Sequence, residues 1–201
     1  MNGGHDAVIL AAGGSRRLGH PKQLLISRGE TLVSRVTRLV LETRPSRTLV
    51  IVGAQAAAVS AALEGKDVEV VTNDDWASGL ASSLGHAARA LAGRNRPVLV
   101  TVVDQPALEA RHFSALLAAH GADRDTVTAY GDGLGVPAVL RASTLAGATA
   151  LQGDKGFRQL WAETAPRAVP AEELSHDLDE ESDVTRAMTA GWLDGRSHAD
   201  A

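Results

Sequence analysis

Leu10-Ala11-Ala12-Gly13-Gly14-Ser15-Arg16-Arg17-Leu18-Gly19-His20-Pro21-Lys22 decides how this chain is read. It follows an apolar run, Ala7 to Leu10, that has the character of a short buried strand. Three glycines, two arginines and a lysine then fall within ten residues. Glycines let a backbone approach a bulky anion with its N–H groups turned inward, and the cations answer the charge. A triphosphate is the anion that best accounts for so much positive charge on so pliable a loop. The spacing excludes a Walker A loop, because Gly14 and Gly19 are not followed by Lys-Ser/Thr in the required register. It also excludes the dinucleotide fingerprint, since Pro21 delays any helix until about Thr31. Taken alone, the loop is also compatible with a Gly-rich turn carrying solvated arginines.

Moving outward, apolar runs alternate with helical patterns, which predicts an α/β domain with a mostly parallel sheet. The expected strands are Ala7–Ala11, Thr48–Gly53, Val68–Thr72, Val98–Val103 and Thr126–Tyr130. Leu32, Val33, Val36, Leu39 and Val40 share one helical face. Further helices are expected near Ala54–Leu63, Leu80–Leu91, Glu109–His120, Phe157–Glu163 and Glu181–Ala190, the last opening in an acidic turn that suits its N-terminal dipole. The 201 residues fit a single domain over residues 1–193, with Asp194–Ala201 expected to be a disordered tail. With aromatics at only 3%, Ala, Val and Leu must fill the core. A formal net charge of −4 argues against bulk binding to nucleic acid. Neither a membrane-length apolar run nor a signal-peptide pattern is evident, so a cytoplasmic enzyme without membrane contact is expected. The chain has no cysteine, which excludes disulfides, thiolate metal sites and cysteine nucleophiles.

In an open α/β sheet ligands bind beyond the carboxyl ends of the strands, so the loops after Leu10, Gly53, Thr72 and Val103 are the ones to inspect. Asp104-Gln105-Pro106 ends the strand Val98–Val103. A carboxylate leaving an apolar strand must meet a cation or hydrogen-bond donors, and Mg2+ with phosphate oxygens is one such partner. A helix-capping aspartate is the alternative, and the upstream loop favours the metal. A second acidic group, Asp177-Leu178-Asp179-Glu180-Glu181-Ser182-Asp183, precedes the last helix, where such runs are usually solvated. After the third strand, Asn73-Asp74-Asp75-Trp76-Ala77-Ser78-Gly79-Leu80-Ala81-Ser82-Ser83-Leu84 offers backbone N–H groups at Gly79 and Ser82 that could read a base edge. A helix cap at Ser78 followed by small packing residues explains it equally well. The histidines form no metal set: His112 and His120 are expected on an exposed helix face, and His5 and His198 in tails. Ser82 and Ser83 lack the histidine of a hydrolase elbow.

Leu10 to Lys22, with Gln23-Leu24-Leu25, resembles the Leu-Ala-Ala-Gly-x-Ser-x-Arg-Met-Gly-x-x-Lys signature of nucleotidyltransferases that act on sugars, isoprenoid precursors and molybdopterin, with Leu18 for the methionine. Asp104-Gln105-Pro106, Asp177–Asp183 and the Trp76 segment are similar to stretches of the molybdenum cofactor cytidylyltransferases. The resemblance runs discontinuously from Val8 to Val184 and implies a Rossmann-like three-layer fold of the nucleotide-diphospho-sugar transferase type. It implies that Leu10, Ala11, Ala12, Gly13, Gly14, Ser15, Arg17, Lys22, Gly79 and Ser82 bind nucleotide, with Arg17, Lys22 and Asp104 catalytic. Asp104 and Asp179 would hold Mg2+, and Asp177 and Asp183 would be structural. Gly133–Ala138 resembles the acceptor-side Gly-x-x-Gly-His-Pro, and Gly153–Arg158 the Gly-Asp-Lys-Gly-Ala-Arg segment, which brings Gly135, Pro137 and Lys155 to the acceptor. Val136 stands where histidine or asparagine is usual, and Glu180 replaces a threonine. The implied reaction moves CMP from CTP to the terminal phosphate of molybdenum-molybdopterin, with transient contact to a molybdoenzyme. A GTP-dependent enzyme of the same pathway, a cytidylyltransferase for another phosphorylated acceptor, and a non-catalytic molybdopterin carrier are the alternatives.

Overall fold

The computed structural model describes residues 4–131, 133–153, 156, 159, 161 and 164–194. β1 (Asp6–Ala11) lies inside a seven-stranded sheet, third from one edge, and is buried along its whole length. It pairs in parallel with β4 (Thr48–Val52) on one side and β6 (Val98–Val102) on the other. The small hairpin β2 (Ile26–Ser27) and β3 (Glu30–Thr31) leads into α1 (Leu32–Leu41), capped by the Thr31 side chain. β5 (Glu69–Thr72) extends the sheet beyond β4 as an edge strand. Past β6 come β8 (Gly133–Leu140), β7 (Thr126–Tyr130) and β9 (Arg167–Pro170), and β8 runs antiparallel to both of its neighbours.

Period-2 alternation along β1 builds two cores from one strand. Ala7, Ile9 and Ala11 pack on the face covered by α1, α2 (Ala56–Ala61) and α4 (Ala110–Ala119). Val8, Leu10 and Ala12 pack on the opposite face under α3 (Leu80–Ala90) and α5 (Ala142–Gly147). This is the three-layer, mostly parallel architecture expected. A third, smaller cluster gathers Leu18, Leu25, Leu32 and Leu178 against Val184 and Ala187 of α6 (Glu181–Thr189). No helix among the described residues is long and apolar enough to cross a membrane.

The expected strands and helices agree with those observed to within two residues at most ends. The exception is β8, whose Gly-Leu-Gly-Val-Pro start reads as a loop. It pairs with β6 only from Ala138 to Leu140, and Val136-Pro137 falls in the irregularity where β7 shifts register. Proline's missing N–H therefore breaks no ladder. β9, α5 and the β2–β3 hairpin were not expected either. The helix expected over Phe157–Glu163 lies outside the described residues except at 159 and 161. Asp194, assigned to the tail, donates its N–H to Ile26 O (2.8 Å) and accepts from Gly29 N (2.7 Å); the rest of that segment lies outside the described residues.

Candidate active site

β1 and β6 are neighbours, yet β1 connects through α1 to β4 on its other side, so a crevice opens between the carboxyl ends of β1 and β6. The loop after β1 enters it. Ser15 takes a left-handed conformation (φ 46°) and its hydroxyl accepts from Lys22 N at 3.1 Å, closing the loop on itself. Gln23, almost fully buried, donates through Nε2 to Ala11 O (3.0 Å) and Gly13 O (2.7 Å). Two loop carbonyls are thereby engaged by one side chain. Leu18 sinks into the third cluster and anchors the far side of the loop.

Trp76 fixes the near side. A Cβ on Gly14 would lie 2.6 Å from the Trp76 ring, and one on Gly53 2.6 Å from Trp76 Cβ, so both positions require glycine for close approach. The Arg16 guanidinium lies over the same ring, 5.6 Å from its centroid. Behind this wall is a cavity of about 380 Å3, lined by residues 10–16, Lys22 and Gln23, by Trp76, Gly79, Leu80 and Ser83, and by the end of β6. An outer recess of about 360 Å3 shares residues 13–16 and Lys22 and adds Arg17, Leu178 and Asp179.

The charged centre lies where the two recesses meet. Lys22 Nζ donates to Asp104 Oδ2 at 2.6 Å, Leu178 O at 3.1 Å and Asp179 Oδ1 at 3.3 Å. Leu178 makes this convergence: its side chain fills the third cluster and its N–H donates to Asp104 O at 3.0 Å. Burial alone would lower the Lys22 pKa, but the charge and hydrogen bond of Asp104, aided by Asp179, raise it above its usual value. Asp177 keeps some surface open to solvent, yet burial of its carboxyl group and the Asp104 charge push it up to about 7. Asp183 accepts from the N–H groups of Asp179 (3.1 Å) and Glu180 (2.9 Å) at the start of α6.

Asp104 Oδ2 and Asp179 Oδ1 both reach one atom, so together with Leu178 O they surround a single cation-sized position with hard oxygens. That donor set suits Mg2+ or Mn2+, with phosphate and water completing the shell. The described residues contain no group of three or more acidic or histidine side chains able to hold a metal by themselves.

Not every expected residue faces the crevice. Arg17 borders only the outer recess, whereas Arg16 borders both. The N–H groups of Gly79 and Ser82, expected to read a base edge, donate instead to Trp76 O (3.3 Å) and Gly79 O (3.2 Å), and the Ser82 hydroxyl accepts from Asn73 Nδ2 (2.8 Å) and donates to Gly79 O (2.9 Å); Gly79 and Ser83 line the cavity. Ser78 does not cap α3; its hydroxyl bonds Asp75 O at 2.7 Å and Gly79 holds the cap position. Gly135 and Pro137 lie on β8, beside the end of β6. Gly135 abuts the Tyr130 hydroxyl, and the buried Gln105 side chain ties Val136 O (3.2 Å) to Leu174 O (3.1 Å). Lys155 and Asp154 lie outside the described residues. Three histidines differ from expectation: His112 is buried and bonded to Thr128 Oγ1 (2.7 Å), His5 is buried and bonded to Thr43 Oγ1 (2.9 Å), and His120 is half-buried and bonded to Thr126 Oγ1 (3.3 Å).

Sequence reasoning missed Gln23, Gln105 and Arg35. Each is an almost fully buried polar side chain bonded to backbone carbonyls, and Arg35 on α1 reaches Leu108 O at 2.7 Å behind the Asp104 turn. Their one available signal was a polar residue inside an apolar stretch.

A glycine-rich loop whose closing lysine meets two carboxylates at the switch point of such a sheet is an arrangement suited to a nucleotidyltransferase-type domain. The chain belongs to the family of the MobA-like NTP transferase domain, which matches residues 7–169. The nicotine blue oxidoreductase of Paenarthrobacter nicotinovorans is 39% identical over 135 residues, covering 67% of this chain and 65% of that protein. A protein of Opitutus terrae named as a probable molybdenum cofactor guanylyltransferase is 34% identical over 127 residues, 63% of this chain and 60% of its own. The match thus spans less than two thirds of either relative. Among solved structures, a Methanothermobacter nucleotidyl transferase superposes with a TM-score of 0.81 at 27% identity, covering 94% of this chain and 98% of that one. The same fold recurs in a manganese complex of Rv0371C from Mycobacterium tuberculosis, with a TM-score of 0.76 at 24% identity over 93% and 99% of the two chains.

Proposed function

We propose that this protein transfers CMP from CTP to the terminal phosphate of a molybdopterin-type acceptor and releases pyrophosphate. The observation that carries the reading is the meeting of Lys22, Asp104 and Asp179 at the mouth of the glycine loop. An acceptor phosphate oxygen attacks the α-phosphorus in line; the new P–O bond forms as the bond to the β-phosphate oxygen breaks. The loop N–H groups of residues 13–16 hold the outgoing phosphates, Arg17 and Lys22 neutralise them, and Gln23 fixes the loop by bonding the carbonyls of Ala11 and Gly13. Asp104 and Asp179 would hold a divalent ion, which would supply charge neutralisation for the phosphates when bound. The acceptor phosphate is already ionised near neutrality, so these residues work by position and charge rather than by proton transfer. Gly79 and Ser83 border the base-side cavity, and Gly135–Pro137 the acceptor side, with Lys155 as a further acceptor contact.

Cytosine is favoured over guanine by the Ala11-Ala12-Gly13 and Asp104-Gln105-Pro106 sequences, and the name of the Opitutus relative keeps GTP as the competitor. Calorimetric titration with CTP and with GTP, each with Mg2+ and with chelator, tests this. The reading expects Mg2+-dependent binding of CTP; GTP binding alone moves the protein to guanylyl transfer, and binding of neither contradicts nucleotidyl transfer.

The Paenarthrobacter relative supports a second reading, electron transfer on the same scaffold. The chain has no cysteine to act as a redox thiol, so this reading requires a bound or co-substrate electron carrier. Hydride transfer from a reduced pyridine nucleotide to an added quinone-type electron acceptor without Mg2+, combined with no pyrophosphate release, would favour it.

A further inference from the structure

We infer that Lys22 is a stand-in cation: in the nucleotide-free protein its ammonium holds the position between Asp104 and Asp179, and loading of metal with nucleotide drives it across to the phosphates. The inference deepens the nucleotidyl-transfer reading and rests on it. An ammonium has three N–H donors, and Lys22 has three oxygen partners, Asp104 Oδ2, Asp179 Oδ1 and Leu178 O. In this arrangement no donor is left for a phosphate. A metal bonded to the same carboxylate oxygens would stand within repulsive distance of Nζ, which is 2.6 Å from Asp104 Oδ2. The two cations therefore exclude one another from this position.

Lys22 is built to move while its backbone stays. Its N–H is fixed by Ser15 Oγ, and the adjoining Gln23 is locked to the loop carbonyls. Lys22 borders both the inner cavity and the outer recess, which the glycine loop also lines, and its flexible four-carbon stem lets the ammonium swing within that space. Leaving a partly buried pair is costly unless another cation takes over the carboxylates and another anion receives the lysine. Metal without nucleotide provides the first and not the second; metal with a triphosphate provides both. The exchange thus couples the two ligands, so that each raises the other's affinity by the same factor.

Mn2+ binding followed by electron paramagnetic resonance tests the exchange without relying on turnover. Wild-type protein is expected to bind Mn2+ weakly alone and at least about fivefold more tightly with CTP present. Lys22→Met is expected to bind Mn2+ alone at least about fivefold more tightly than wild type, with the enhancement by CTP reduced. Lys22→Arg keeps the competing charge and is expected to bind Mn2+ alone no better than wild type. Thermal melting provides an independent readout: without metal Lys22→Met is less stable, because two carboxylates face each other unpaired, and Mn2+ restores its melting temperature more than that of wild type. Mn2+ binding that is lost in Asp104→Asn and enhanced by CTP, but no tighter in Lys22→Met, would overturn the exchange and leave the transfer reading standing. Mn2+ binding indifferent both to Asp104→Asn and to CTP would remove the transfer reading and the exchange with it.

Discussion

Asp104 accepts the shorter of the two Lys22 ion pairs, and both side chains are mostly buried, at 20% and 13% exposure. Asp104→Asn keeps the shape and removes the charge, so nucleotidyl transfer is expected to fall by at least about 100-fold, measured as pyrophosphate release. An unchanged rate would contradict a role for this carboxylate. Gln23 acts differently, through the backbone. Gln23→Ala leaves the carbonyls of Ala11 and Gly13 without their donor, at a cost of about 1–3 kcal/mol, and frees the loop. The expected outcome is a raised KM for the nucleotide together with a lower melting temperature. Gln23→Glu should be no better, because it replaces a donor by an acceptor. Lys22, Asp104 and Asp179 were legible because charged residues at strand ends and beside glycines are chemically conspicuous. Gln23, Gln105 and Arg35 were not, because their partners are carbonyls and, for Arg35, also the Glu109 carboxylate, which only the fold brings near.

The element that completes the site is the segment before α6. Leu178 is buried to 1% exposure, and its peptide group joins Asp104 to Lys22. Leu178→Ala is expected to cost about 3 kcal/mol in urea unfolding, as truncations in packed clusters do, and to loosen Asp179. Reduced Mn2+ affinity in the presence of CTP, beyond the loss seen for a leucine truncation elsewhere such as Leu116→Ala, checks the positioning role. β1, β4 and β6 were legible as apolar runs because strands buried on both faces are mostly Val, Ile, Leu and Ala, with Thr101 the one polar residue within a run. β8 was hidden by two glycines and a proline, which the sheet tolerates because its pairing with β6 starts only at Ala138 and β7 shifts register opposite Val136-Pro137. The acceptor-side residues therefore lie on a sheet strand rather than on a free loop.

Across the whole molecule, the carboxyl ends of β1, β4, β5 and β6 share one edge, and the glycine loop, Trp76 and Asp104 all project from it. That juxtaposition follows from parallel strands and right-handed crossovers, which is why the general location of the site could be read from the order of elements. Burial of the histidines could not, since isolated polar residues on a helix give no sign of which neighbour will cover them. His5, His112 and His120 are each held below their usual pKa by burial; for His112 the Glu173 charge opposes this and the Arg111 charge adds to it. With folded pKa values below that of the unfolded chain, the unfolded state takes up protons first. The histidines' contribution to stability is therefore full above about pH 6.5 and is lost as the pH falls from there toward the folded values. Asp177, whose carboxyl is pushed up to about 7, works the other way, its contribution growing as the pH falls through 7. Melting temperatures at pH 7.5 and 5.5 isolate the histidine part by comparison: His112→Gln should lose less stability, or gain more, on acidification than wild type. Equal pH dependence in the two proteins would contradict the assignment.

The most direct test of the account is pyrophosphate release from CTP by the purified protein with Mg2+ and molybdopterin as acceptor, compared with Asp104→Asn. Release that requires both Mg2+ and the acceptor, and that disappears in the variant, is the predicted result. No release from either CTP or GTP by folded wild-type protein, or equal release by Asp104→Asn, would contradict nucleotidyl transfer at this site.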